Sequence, residues 1–121
     1  MVLNSMLNRL NNSKIRLAVI GGSFDSTIGK THLRSILSTN KFQITCGCFS
    51  RSKSKNIKNS KFYSLPINKV YNDIEKLLKN EIKSIDLALV ITPPKNRYRI
   101  YSTLANKNIG IIAEKPFEDN R

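Results

Sequence analysis

Residues Ile15-Arg16-Leu17-Ala18-Val19-Ile20 form a short apolar run that ends in Gly21-Gly22. A run of this length, closed by turn residues, reads as a strand buried on both faces. Such a strand is hidden only inside a sheet covered on both sides. The rest of the chain must therefore supply further strands and the helices that cover them.

The remaining pattern supplies both. Ile28, His32, Leu33, Ile36 and Leu37 recur at helical spacing between Ile28 and Ser38. Residues Phe42 to Phe49 alternate and are rich in β-formers, a second strand. Residues 50–61 are polar and basic, a loop with room for a short helix. Leu65-Pro66-Ile67 is expected to be extended, because the residue before a proline avoids the helical region. It is a candidate strand. Asn68 can cap a helix running to about Asn80, with Val70, Ile74, Leu77 and Leu78 facing inward. Asp86 to Ile91 is another apolar strand, broken by Thr92-Pro93-Pro94. Tyr98, Ile100, Tyr101, Leu104 and Ala105 predict a helix to about Asn106, and Ile109 to Ala113 a final strand. Strands alternating with helices and joined by right-handed crossovers predict an α/β fold: a doubly wound, Rossmann-type parallel sheet of about five strands.

The 121 residues allow one domain, expected over residues 14–121. Val2, Leu3, Met6, Leu7 and Leu10 fall at helical spacing, so residues 1–13 read as a tail or short amphipathic helix and not as a secretory signal. No stretch approaches the ~18 apolar residues of a membrane span, and a cytoplasmic protein is expected. Cys46 and Cys48 share one face of the second strand. With no second pair and no nearby His they read as small buried hydrophobes, not metal ligands.

The net charge of +13 raises nucleic acid as a partner. Arg51, Lys53, Lys55, Lys58 and Lys61 form one dense patch, but it is interleaved with Ser and Asn and not with aromatics. Elsewhere Lys is scattered among Asn and Ile, a chain-wide compositional bias. A basic nucleic-acid-binding protein stays as an alternative without a recognised reader motif.

Three segments carry chemistry. The turn from Gly21 to Gly29 lies between a strand and a helix, where glycines let the backbone approach a pyrophosphate at the helix N-terminus. At the end of the second strand, where a ribose is gripped, stands Ser50-Arg51-Ser52-Lys53 with no carboxylate. An acidic residue would suit the free 2′-hydroxyl of NAD, whereas Ser, Arg and Lys suit a 2′-phosphate, so NADP is favoured over NAD. The other reading of this segment is a solvated basic loop. Finally, Glu114-Lys115-Pro116 directly follows the last strand, and a Lys there can reach a substrate as a proton-transfer group or hydrogen-bond donor.

Together these segments resemble the glucose–fructose oxidoreductase / inositol dehydrogenase (Gfo/Idh/MocA) family over Lys14 to about Glu118. One subgroup's G-G-G-x-G-S-x-I-G-x-x-H is similar to Gly21-Gly22-Ser23-Phe24-Asp25-Ser26-Thr27-Ile28-Gly29-Lys30-Thr31-His32. The family's I-x-T-P resembles Val90-Ile91-Thr92-Pro93, and its E-K-P is Glu114-Lys115-Pro116. The resemblance implies an NAD(P)-dependent oxidoreductase acting on a sugar, cyclitol or related polyol. It implies Gly21, Gly22, Ser23, Ser26 and Ile28 around the pyrophosphate, and Thr92 and Pro93 on the nicotinamide side. Ser50, Arg51 and Lys53 would face the ribose. Lys115 would be the catalytic residue, touching substrate and cofactor, with Glu114 and Pro116 holding its segment. No metal is implied.

This sequence departs from the pattern at Ser23 and Asp25, which stand where the subgroup has glycine, and at Arg97, which occupies the position of a family His. His32 is expected to be a packed helix histidine. Family members continue into a sixth strand and a second α/β domain that supplies most of the substrate pocket. The expectation is therefore a truncated cofactor-binding part that is not competent alone. The alternative is a nonenzymatic module that binds NADP or a partner chain.

Overall fold

The computed structural model describes residues 14–25, 31, 34–35, 38–92 and 94–113. Four strands form one parallel sheet: β1 (Ile15–Gly21), β2 (Phe42–Cys48), β3 (Leu87–Ile91) and β4 (Gly110–Ala113), in the order β2-β1-β3-β4. The chain leaves β1 for β2 on one side and returns to β3 on the other. This reversal is the switch point of a doubly wound sheet. Three helices lie wholly among the described residues: α1 (Lys53–Phe62), α2 (Ile74–Glu81) and α3 (Pro94–Asn106). Residues 31, 34, 35, 38 and 39 are also helical, inside or just beyond the helix expected at 28–38. The expected tail or helix over residues 1–13 lies outside the described residues, as does His32.

Successive residues of β1 point to opposite faces, and each face has its own core. Ala18 and Ile20 pack with Cys46, Ala88 and Val90 beneath Leu77 and Leu78 of α2 and Leu104 of α3. Leu17 and Val19 pack with Leu89 and Ile91 against Phe49, Tyr63 and Leu65. The double-sided burial expected from the apolar run is thus realised, and Cys46 is a buried core residue. Burial pushes its thiol up to about 12. At the other end of the sheet, the Arg16 N–H and guanidinium donate to the Asp86 carboxylate at 2.8 and 3.1 Å, tying the start of β1 to the entry of β3.

Three segments differ from expectation. Residues 50–61 are mostly helix and not mostly loop. Ser52 caps α1 by accepting the Lys55 N–H at 3.3 Å, and the buried face of α1 is Asn56 and Asn59. An apolar stripe is absent, so hydrophobic periodicity could not find it. Leu65-Pro66-Ile67 is not a strand. Pro66 and Ile67 carbonyls accept from Lys69 and Val70 in a 3₁₀ turn over Ile67–Lys69. That engages the Lys69 and Val70 donors within the turn, and the Tyr71 N–H donates to the Gly47 carbonyl at 2.8 Å, beside a single Gly47–Val70 bridge. The expected extra strand is reduced to one bridge outside β2. For the same reason α2 does not begin at Asn68. Asp73 caps it by accepting the Glu75 N–H at 2.9 Å.

Candidate functional site

The carboxyl ends of β1, β2 and β3 open onto a cleft of about 650 Å3. Gly21, Ser50, Arg51 and Thr92 line it together, so residues 71 positions apart in sequence meet at the switch point. Its outer wall is Asn72 to Lys76 at the start of α2, with Arg99 and Ile100 of α3.

Gly21 and Gly22 both take the left-handed region, with φ of +86° and +72°. Only glycine does so without penalty, which lets the chain turn sharply out of β1. A Cβ on Gly21 would also meet the Ile91 backbone at 3.0 Å, so β3 approaches too closely for a side chain. The turn is then gripped from α1. The Tyr63 hydroxyl donates to the Gly22 carbonyl, and the Phe24 N–H donates to Asn59 Oδ1 at 2.6 Å. Asn59 Nδ2 donates to Ser23 Oγ and to Asn56 Oδ1, each at 3.2 Å, and Asn56 Nδ2 donates to the Ser50 carbonyl at 2.7 Å. Burial pushes the Tyr63 phenol up to about 12, which keeps it a donor.

Charge in and around the cleft is partly balanced. Asp25 pairs with Lys55 at 3.2 Å, and that partner holds its carboxyl below the usual range. The Lys58 ammonium sits 5.6 Å from the Phe24 ring centre. Glu75 faces Arg99 at 3.8 Å, while Arg51 is exposed on the cleft wall. Thr92 Oγ1 is buried and has no hydrogen-bond partner among the described residues. Arg97, on α3, donates to the Thr92 carbonyl at 2.7 Å and so holds the end of β3.

Of the residues expected at the site, Gly21, Ser50, Arg51 and Thr92 come together, and Gly22 and Ser23 form the turn beside them. Lys53 opens α1 and is exposed; it is not among the residues lining the cleft. Ser26, Ile28, Pro93, Glu114, Lys115 and Pro116 lie outside the described residues. Sequence reasoning missed Asn56, Asn59 and Tyr63. The available signal was a pair of amides three residues apart in a lysine-rich run, which places both on one helix face.

A family model described as an oxidoreductase family with an NAD-binding Rossmann fold, Gfo/Idh/MocA, matches residues 15–120. No curated protein matches. Among solved structures, an oxidoreductase from Sinorhizobium meliloti superposes with a TM-score of 0.77 at 23% identity, over 90% of this chain and 31% of that one. An inositol dehydrogenase homolog from Azotobacter vinelandii, complexed with NAD+, superposes with a TM-score of 0.80 at 23% identity, over 87% of this chain and 28% of that one. The same homolog complexed with NADH and myo-inositol gives 0.79 at 23% identity, over the same shares. The chain thus spans under a third of the length of these structures. At this identity the superpositions speak for the fold, and the family match extends over nearly the whole chain. The protein therefore belongs to the Gfo/Idh/MocA oxidoreductases, of which residues 15–120 are the NAD-binding Rossmann domain.

Proposed function

We propose that the cleft at the ends of β1, β2 and β3 holds NADP in preference to NAD, and that the chain is the cofactor-binding part of an oxidoreductase acting on a sugar, cyclitol or related polyol. The observation that carries this is the convergence of Gly21, Ser50, Arg51 and Thr92 on one cleft at the switch point. The residues present suit the group. The left-handed Gly21-Gly22 turn clears a path for a pyrophosphate. The Thr92 hydroxyl, buried at the cleft wall without a partner among the described residues, gains from a ligand hydrogen bond. Arg51 offers a planar fork to a 2′-phosphate; the carboxylates that line the same cleft are Asp73, which caps α2, and Glu75, which faces Arg99. Asp25, adjacent to the turn, is already engaged by Lys55.

When bound, the nicotinamide accepts or returns a hydride. This chain's part is to bind and orient it, and Lys115 would contact substrate and cofactor as the proton-transfer group. Hydride transfer also needs an oriented carbinol, and the relatives carry more than twice as much additional chain. Turnover by these 121 residues alone is not expected.

Fluorescence titration with NADPH and NADH tests the reading. Tighter NADPH binding, lost in Gly22→Asp, is expected. Absence of binding by either dinucleotide to folded protein would remove the cofactor assignment.

A further inference from the structure

The hydrogen bonds from α1 do more than hold one turn. Asn59 is 0% exposed, and its amide is fully used: Oδ1 takes the Phe24 N–H, and Nδ2 reaches both Ser23 Oγ and Asn56 Oδ1. The Phe24 donor fixes which way the amide faces, because a reversed amide would set donor against donor. Asn56, 5% exposed, passes the chain of bonds on to the Ser50 carbonyl. Ser50 in turn accepts the Ser52 N–H through its hydroxyl at 3.0 Å, so the segment that presents Arg51 is fixed at both ends.

One continuous buried path thus runs from the Gly22–Phe24 turn, through two side chains of one helix, to Ser50-Arg51. Buried amides cost free energy when unpaired, so each has only one arrangement that satisfies all its partners. A shift of the turn strands Asn59, which strands Asn56, which releases the Ser50 carbonyl. The two ends of the cleft are linked through two amides that are not among the residues lining it.

We propose that Asn59 and Asn56 are positioning residues that couple the diphosphate-binding turn to the Ser50–Arg51 end of the cleft, so that each end is fully formed only when the other is. This rests on the reading that a dinucleotide lies there. Coupling between two sites is reciprocal, and reciprocity makes it measurable with fragments that reach only one end. Inorganic pyrophosphate presents a diphosphate without the ribose, and adenosine 2′-monophosphate presents the reverse.

Calorimetric titration of the whole chain and its variants with pyrophosphate, adenosine 2′-monophosphate and NADPH tests the coupling, with circular dichroism confirming that each variant is folded. Asn59→Leu cuts the path at the turn, and weaker binding of adenosine 2′-monophosphate by about fivefold is expected although that fragment does not reach the turn. Asn56→Ala cuts it at Ser50, and a similar loss is expected for pyrophosphate, which does not reach Ser50. Asn56→Ala leaves the Asn59 contact with Phe24 in place, so it still decides the matter if Asn59→Leu does not fold. Variants that change only the fragment nearest the mutation, or none, overturn the coupling while leaving the cofactor reading intact. A parent chain that binds none of the three ligands overturns the cofactor reading itself.

Discussion

The methyl group of Thr92 fills the space that a side chain on Gly21 would need: a Cβ there would stand 2.9 Å from Thr92 Cγ2. The end of β1 and the end of β3 are therefore pressed together at the floor of the cleft. The Thr92 hydroxyl is buried there without a partner among the described residues.

Gly21→Ala should be costly. The new Cβ would meet the Thr92 methyl and the Ile91 backbone, and the residue would be held at a φ of +86°. A left-handed backbone and an overpacked contact together cost about 2–4 kcal/mol. Urea unfolding followed by circular dichroism should show a lower midpoint with an unchanged slope. A midpoint equal to that of the parent would mean β3 can retreat freely from β1.

Arg51→Ala should change cofactor choice and leave the fold alone, since Arg51 is exposed. Losing a charge-assisted hydrogen bond to a 2′-phosphate costs roughly 1.5–3 kcal/mol, or about 10- to 100-fold in NADPH affinity. NADH affinity should move by less than about twofold, well under 1 kcal/mol. Raising the salt concentration should narrow the preference of the parent chain, because the contact is near solvent. Equal loss for both dinucleotides would place Arg51 elsewhere than on the 2′-phosphate.

Alkaline pH should destabilise the fold. Burial pushes the Cys46 thiol up to about 12 and the Cys48 thiol to about 11. Burial also raises the Tyr63 phenol to about 12, and burial with the hydrogen bond to Glu81 does the same for Tyr71. The unfolded values are 9.0 for the thiols and 10.0 for the phenols. Between each pair of values the unfolded chain has lost a proton that the folded chain keeps. Stability is then fully present below pH ~9 and falls as pH rises toward ~12. The urea midpoint should be lower at pH 10.5 than at pH 8, by an amount worth at least about 1 kcal/mol. A flat profile would mean these groups ionise as readily folded as unfolded.

Much of the fold was legible because apolar patterning reports burial directly. The double-sided core around β1 follows from Leu17 and Val19 alternating with Ala18 and Ile20. That Gly21, Ser50, Arg51 and Thr92 meet at one cleft was legible because each ends or follows a strand, and the carboxyl ends of parallel strands converge. Helix α1 was not, because its buried face is Asn56 and Asn59, and a polar face reads as surface. The segment after Pro66 was also misread, since extended backbone before a proline does not say whether the next donors join a sheet or close a 3₁₀ turn.

By itself the sequence determined the class of fold, the family and the strand-end positions that meet at one cleft, because hydrophobic period and short motifs are local properties of the chain. Only the tertiary structure decided which polar side chains hold those positions in place. Asn59 and Phe24, 35 residues apart, meet at 2.6 Å. Nothing in the spacing of an amide and a distant N–H announces that bond. It forms because the fold lays the turn after β1 on the buried amide face of α1, where an unpaired Asn59 would cost more than the order the bond imposes.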